Sequence, residues 1–241
     1  MALLDALIAG LDLDGEIRDI RQGVFHTAVW SRHCGLAATL PKDALRQEPP
    51  LVKSPGDLLQ KTGRELVHLA YSDSILEAAI GMATINSFLN IDTDKCIEIN
   101  ARDLIIEKGK DRRVAIVGHF PFIPMLRSMV EKLWVIEKNP REGDLAETEA
   151  ENILPRADIV AVTGTAITNH TVDHLLAMCD PKAYVVLLGD SAPLSPLLFD
   201  FGIDAVAGTR VVDAEQALRC VSQGANFRQI RGTQRLTLFA K

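Results

Sequence analysis

Five short apolar runs constrain this 241-residue chain more than any other feature: Val114–Val117, Leu133–Ile136, Ile159–Val162, Tyr184–Leu188 and Ile203–Ala207. Their starts lie 19, 26, 25 and 19 residues apart. A run of this length suits a strand buried on both faces, and each gap leaves room for one crossover helix between parallel neighbours. The second half of the chain therefore reads as repeated strand–helix units in a parallel sheet. Four runs end directly in Gly118, Glu137, Gly189 or Gly208, and the third ends in Thr163-Gly164. Open parallel sheets bind ligands beyond the carboxyl ends of their strands, so these loops are where a site is expected.

The first half has another rhythm. Leu3, Leu4, Leu7, Ile8 and Leu11 have helical spacing, which predicts a helix in the segment up to about residue 20. Val24 to Trp30 and Cys34 to Leu40 read as two strands joined by the turn Ser31-Arg32-His33. Pro41, Pro49, Pro50 and Pro55 mark a loop of about fifteen residues. Helical patterning returns over Asp57–Tyr71 and Asp73–Asn90, with Ser72 or Asp73 placed to cap the second helix. Residues 1–98 are thus expected to form a small α+β domain and residues 99–241 an α/β domain, with the charged run Glu107–Arg113 at the junction.

Composition removes several function classes. A net charge of −6 gives no general field for a nucleic-acid backbone, so no nucleic-acid partner is expected. Cys34, Cys96, Cys179 and Cys220 are far apart and contain no CxxC pair, which predicts free thiols in a reducing compartment. Met1–Ile20 lacks a basic start and carries Asp5, Asp12, Asp14 and Glu16, and Ala78–Ile91 is too short and too polar to span a bilayer. The expectation is a cytoplasmic protein with no membrane partner.

The strand-end loops carry the candidate chemistry. In Gly118-His119-Phe120-Pro121-Phe122, the second and third glycine positions of a dinucleotide fingerprint are Phe120 and Ile123. Pro121 and Pro124 also remove backbone donors, so no dinucleotide is expected in the usual pyrophosphate geometry. Glu137 stands where a ribose-binding acid would sit, without its glycine fingerprint. The stretch Thr163-Gly164-Thr165 through Asn169 and Thr171 gathers hydroxyls and an amide, with Asn169 placed to cap the helix Val172–Cys179. His170 and His174 have i, i+4 spacing but no visible third ligand, and read first as exposed histidines. Gly189-Asp190-Ser191 again joins a glycine, an acid and a hydroxyl, while neither a GxSxG elbow nor a P-loop is present. Asn86, inside an apolar helix, either braces the core or faces the Thr163–Thr171 loop across a cleft. His26, His33 and His68 are read as hairpin and helix residues.

Taken together, these motifs resemble those of the putative heavy-metal-chelation family over nearly the whole length. The resemblance rests on Gly23–Val29 with Gly35-Leu36-Ala37, Gly81–Asn86, Val114–Gly118 with Pro121, and Ala157–Val160. It continues through Thr163-Gly164-Thr165 with Asn169-His170-Thr171, Leu188–Pro193, and Gly208 with Val212-Asp213. It implies an enolase-N-terminal-like α+β domain followed by a Rossmann-like parallel-sheet domain, with a site in the cleft between them. Asp190 replaces a proline usual in the family, and Ala192 a threonine. The resulting expectation is a protein that binds a divalent or heavy-metal ion, or a metal-chelating small molecule. Glu137 and Asp190 would open onto one rim as the metal carboxylates. Gly118, His119, Thr163, Gly164, Thr165, Asn169, Thr171, Gly189, Ser191 and Asn86 complete the expected site. The alternatives are an enzyme using an S-adenosylmethionine- or nucleotide-like cofactor, and a non-catalytic small-molecule sensor; a homo-oligomer is a further expectation.

Overall fold

The computed structural model describes residues 1–47 and 51–240, so Pro49 and Pro50 of the expected loop lie outside the described residues. The chain opens with helix α1 (Ala2–Ala9) and a three-stranded antiparallel sheet, β1 (Asp19–Gln22), β2 (His26–Trp30) and β3 (Cys34–Ala38), in that order. Helices α2 (Pro41–Ala44), α3 (Gly63–His68) and α4 (Ile75–Phe88) follow. Then come β4 (Cys96–Ile97), α5 (Ala101–Gly109), β5 (Arg113–Val117), α6 (Ile123–Leu126), β6 (Lys132–Glu137), β7 (Leu145–Ala146) and α7 (Ala150–Ile153). The chain finishes with β8 (Ile159–Thr163), α8 (Thr165–Thr168), α9 (Val172–Ala177), β9 (Tyr184–Leu188), β10 (Ala205–Val211), α10 (Ala214–Ser222) and β11 (Thr233–Phe239).

All five apolar runs reach the large sheet, whose order is β4-β11-β10-β9-β8-β5-β6-β7. The strands from β10 to β7 are parallel, while β11 is antiparallel to both β10 and β4. From β5 the chain winds outward through β6 and β7, then returns to β8 and winds the other way through β9 and β10. This is the doubly wound Rossmann order, with its reversal between β5 and β8. Alternation explains why the runs are uniformly apolar. Val114, Ile116, Ile159 and Ala161 enter the core on one face, and Ala115, Val160 and Val162 enter the core on the other.

The second of these cores continues into the front part, where it includes Leu66, Val67, Ala70, Ile80, Met82, Ile85 and Phe88. The small sheet is covered on both sides: Val29 and Ala37 join this core, whereas Ala28 and Leu36 pack on Ala217, Leu218 and Val221 of α10. A helix from the far end of the chain thus helps to bury the first hairpin.

Several sequence expectations are corrected. The leading helix stops at Ala9, and Asp19–Gln22 is a strand because it pairs with β2, Asp19 against Trp30. The second hairpin strand ends at Ala38, and part of the proline-marked loop is helix α2. Asp57–Tyr71 is broken: α3 starts only at Gly63, after its N-cap Thr62, which forms a capping box with Glu65. Helix α4 is capped from Ser74 without a side-chain cap; Ser72 Oγ instead accepts the Ser74 N–H. Glu107–Arg113 is not a junction, since it spans the end of α5 and the start of β5.

Helix α4 approaches the preceding turn so closely that a Cβ on Gly81 would sit on the Ala70 backbone nitrogen. Gly81→Ala is expected to lower stability by about 1–3 kcal/mol, the usual range for overpacking a dense core. Reversible thermal or urea denaturation checks this, and a variant as stable as the parent would refute the close approach.

Candidate functional site

Over the carboxyl ends of the parallel strands lies a cavity of about 620 Å³. It sits where doubly wound sheets place ligands, beside the reversal between β5 and β8. The loop after β5 supplies His119, Phe120 and Phe122, and the loop after β8 supplies Thr163, Gly164 and Thr165. The loop after β9 adds Gly189, Asp190 and Ser191, and the first hairpin adds Phe25, His26 and Ala38.

Asp190 joins these pieces. Its side chain, 14% exposed, accepts a hydrogen bond from His26 Nε2 at 2.8 Å and another from Thr209 Oγ1 at 2.5 Å. Burial pushes the Asp190 carboxyl up, but the bond and attraction from His26, the Thr209 hydroxyl and the nearby Arg235 charge outweigh it. The group therefore titrates below its ordinary value. The adjacent Ser191 Oγ accepts the Ala38 N–H at 2.9 Å, a second tie from strand β3 to the same loop. Gly164 packs directly on the backbone of Ser191 and Ala192, where any Cβ would clash. The loops after β8 and β9 are thereby held against each other, with Thr163 and Thr165 hydroxyls 3.0 Å apart on their shared wall.

A second histidine is held in the same way. His119 Nδ1 lies 3.0 Å from Asp144 Oδ2, whose side chain is 2% exposed. The Asp190 carboxylate on the wall and the Asp144 carboxylate behind it are therefore each engaged by a wall histidine. Three arginines remain in the lining: Arg102 at the start of α5, Arg228 in the loop before β11, and Arg235 on β11. Arg102 pairs at its outer edge with Asp103. Among the described residues, neither Arg228 nor Arg235 has a carboxylate within ion-pair distance; both lie over the Phe227 ring, at 5.5 and 5.2 Å.

The twelve expected site residues divide into three groups. His119, Thr163, Gly164, Thr165, Gly189, Asp190 and Ser191 come together around the cavity, with Gly118 just behind the wall, its N–H bonded to Ile136. Asn86, Glu137, Asn169 and Thr171 lie outside the lining. Asn86 Nδ2 donates to the Leu36 carbonyl, bracing α4 on the hairpin. Asn169 Oδ1 accepts from the Thr171 N–H and hydroxyl, so it shapes the turn; the cap position of α9 is Thr171. His170 has φ +63° and donates to the Ala70 carbonyl at 2.7 Å. It precedes α9, so it does not share a helix face with His174.

The Glu137–Asp190 pairing does not survive the strand order. Glu137 ends β6 and Asp190 follows β9, with β5 and β8 between them, three strand spacings or about 14 Å. Among the described residues, no group of three or more histidine, cysteine, aspartate or glutamate side chains comes together to hold a metal. The thiols do not compensate: burial pushes Cys34 up to about 12 and Cys179 up to about 11, which leaves both protonated at neutral pH.

What sequence reasoning missed comes mainly from distant segments: His26, Asp144, the arginines, and the rings Phe25, Phe120, Phe122 and Phe227. Only Phe120 and Phe122 carried a local signal, since they occupy the strand-end loop itself.

Comparison with known proteins places this site in context. The family profile described as DUF364, putative heavy-metal chelation, matches residues 100–240, and DUF4213, with the same description, matches residues 4–89. The uncharacterized protein MJ0500 of Methanocaldococcus jannaschii is 28% identical over 170 residues, 66% of this chain. The match spans 64% of that relative's length. A DUF364-family crystal structure of unknown function from Desulfitobacterium hafniense superimposes with a TM-score of 0.86 at 27% identity, covering 99% of this chain and 98% of that one. A Pyrococcus horikoshii member gives 0.85 at 24% identity with full coverage of both chains, which supports the fold.

Two outcomes follow from the geometry. Asp190→Ala strips His26 and Thr209 of their acceptor and is expected to cost about 3–5 kcal/mol in denaturant melts. Because the native carboxyl titrates low, its stabilisation is complete above the ordinary carboxylate range of about pH 4 and is lost as pH falls through the native value. A pH–stability profile identical for Asp190→Asn and the parent would contradict this. Cys34 is expected to stay unlabelled by a thiol reagent at pH 8 until denaturant is added, as read by mass spectrometry; rapid native labelling would refute its burial.

Proposed function

The chain belongs to the putative heavy-metal-chelation family, and from that premise we propose that it binds a small organic molecule, a metal chelator or its metal complex, in the cavity between the first hairpin and the strand ends. The observation that carries this reading is the state of the acids around the cavity. Asp190 is consumed by His26 and Thr209, Asp144 by His119, and Glu137 is about 14 Å away by strand count. The donor set therefore does not fit a bare heavy-metal ion held by side chains alone. The volume does fit a small molecule, within the roughly 300–1,000 Å³ common for such pockets.

A nucleotide-type cofactor is the second reading, favoured by the doubly wound order and by the cavity's place at its reversal. Against a pyrophosphate clamp stand Phe120 and Pro121, and the brevity of α6, four residues with a proline in its first turn. No helix end is available there to face a diphosphate. Among the described residues no helix is long and apolar enough to cross a membrane.

Native mass spectrometry with elemental analysis of the purified protein tests the proposal. An organic mass adduct, with or without stoichiometric metal, is expected, together with no micromolar affinity for NAD by calorimetry. A divalent ion bound stoichiometrically with no organic adduct, and retained in Cys-free protein, would overturn the proposal.

A further inference from the structure

The cavity is polarised along the sheet. Arg228 and Arg235 stand at the β11 end and Phe120, Phe122 and Met125 at the β5 end. Four strand spacings separate these ends, about 19 Å at the backbone, with the small Gly and Thr residues of the β8 and β9 loops between. Arg102 joins the first end, since α5 follows β4, the neighbour of β11. Three guanidiniums in one cavity run against a chain whose net charge is −6. Arg228 and Arg235 lie within cation–π range of the Phe227 ring, which holds both charges at one end of the cavity with no carboxylate in ion-pair distance among the described residues.

The other end is apolar and open. Phe120 and Phe122 are stacked, with centroids 5.4 Å apart and planes 19° from parallel. Around the same cavity Phe25 is 44% and Met125 49% exposed. Large apolar groups left open inside a concavity are the usual mark of a surface that a ligand covers.

We propose that the ligand is an elongated organic anion, with a carboxylate or phosphate taken by Arg228 and Arg235 and a planar aromatic portion laid against Phe120 and Phe122. This rests on the cavity being a small-molecule site, and narrows its ligand to one chemical class. A guanidinium fork donates two parallel hydrogen bonds to either oxyanion. A planar ring extends the existing offset stack. The engaged acids fit the same picture, because no unpaired carboxylate faces the incoming anion from Asp190 or Asp144.

Calorimetric titration of the full chain with three probes tests this. Dipicolinate is an aromatic dicarboxylate, pyridine-2,6-dimethanol is its uncharged counterpart, and adenosine monophosphate supplies a phosphate. Dipicolinate or adenosine monophosphate should bind at least tenfold more tightly than the uncharged compound, and whichever binds more tightly identifies the oxyanion. The double variant Arg228→Gln/Arg235→Gln should lose at least tenfold in affinity for the anion while still melting cooperatively, and Arg228→Gln alone, which does not face Asp190, should weaken the anion at the parent's melting temperature. Phe122→Leu should weaken the same anion while leaving its salt dependence intact. Equal affinity for charged and uncharged probes, no binding of either anion at millimolar concentration, or an unaffected double variant would each overturn the proposal. An uncharged or cationic organic adduct in the purified protein would also overturn it, while leaving the small-molecule reading standing.

Discussion

The organisation of this molecule depends on one buried carboxylate. Asp190 sits after the fourth parallel strand in the sequence reading, β9, and is gripped by a histidine from the first hairpin and a threonine from β10. Taking a carboxylate out of water is costly unless hydrogen bonds and opposite charge replace the solvent. The replacement here comes from two parts of the chain more than 160 residues apart, His26 and Asp190 being separated by 164 positions. The hairpin is therefore fixed over the strand ends by the same contact that removes the acid from ligand chemistry. What is left facing the cavity is a set of arginines and open aromatic rings, and on the proposed reading that remainder sets what the cavity would recognise.

The packing supports this contact from both sides. A continuous apolar core runs from α1 and α4 through the large sheet, and α10 closes the outer face of the hairpin. The His170 bond to Ala70 and the Ser191 bond to Ala38 add polar ties along the same seam. With the seam this densely connected, the hairpin residues Phe25, His26 and Ala38 keep their places as a wall of the cavity. A cavity wall held in this way is preorganised, which would lower the entropy cost of the proposed binding.

The parallel sheet was legible because its strands are buried on both faces and must be written as continuous apolar runs. The glycine- and threonine-rich loops were legible because strand ends at a doubly wound sheet need small residues to approach one another. Strand order was not legible: Glu137 and Asp190 look equivalent as acids ending strands, and only the winding reversal between β5 and β8 shows that two strands separate them. The short strands β4 and β7, two residues each, carry no periodic signal, and β1 exists only through its pairing with β2. Asn169 and Asn86 were sound readings of polar residues needing partners, but the partners proved to be a turn hydroxyl and a hairpin carbonyl. His26 was passed over because nothing local distinguishes it; its meaning comes from a residue 164 positions away.

The central claim is that His26 and Asp190 interact as a buried pair that fixes the hairpin at the cavity wall and engages its acid. A double-mutant cycle on His26→Gln and Asp190→Asn, read by denaturant melts at neutral pH, measures that interaction directly. The account predicts a coupling energy of about 1 kcal/mol or more, with the double variant less destabilised than the sum of the singles. Single effects that add within about 0.3 kcal/mol would contradict it.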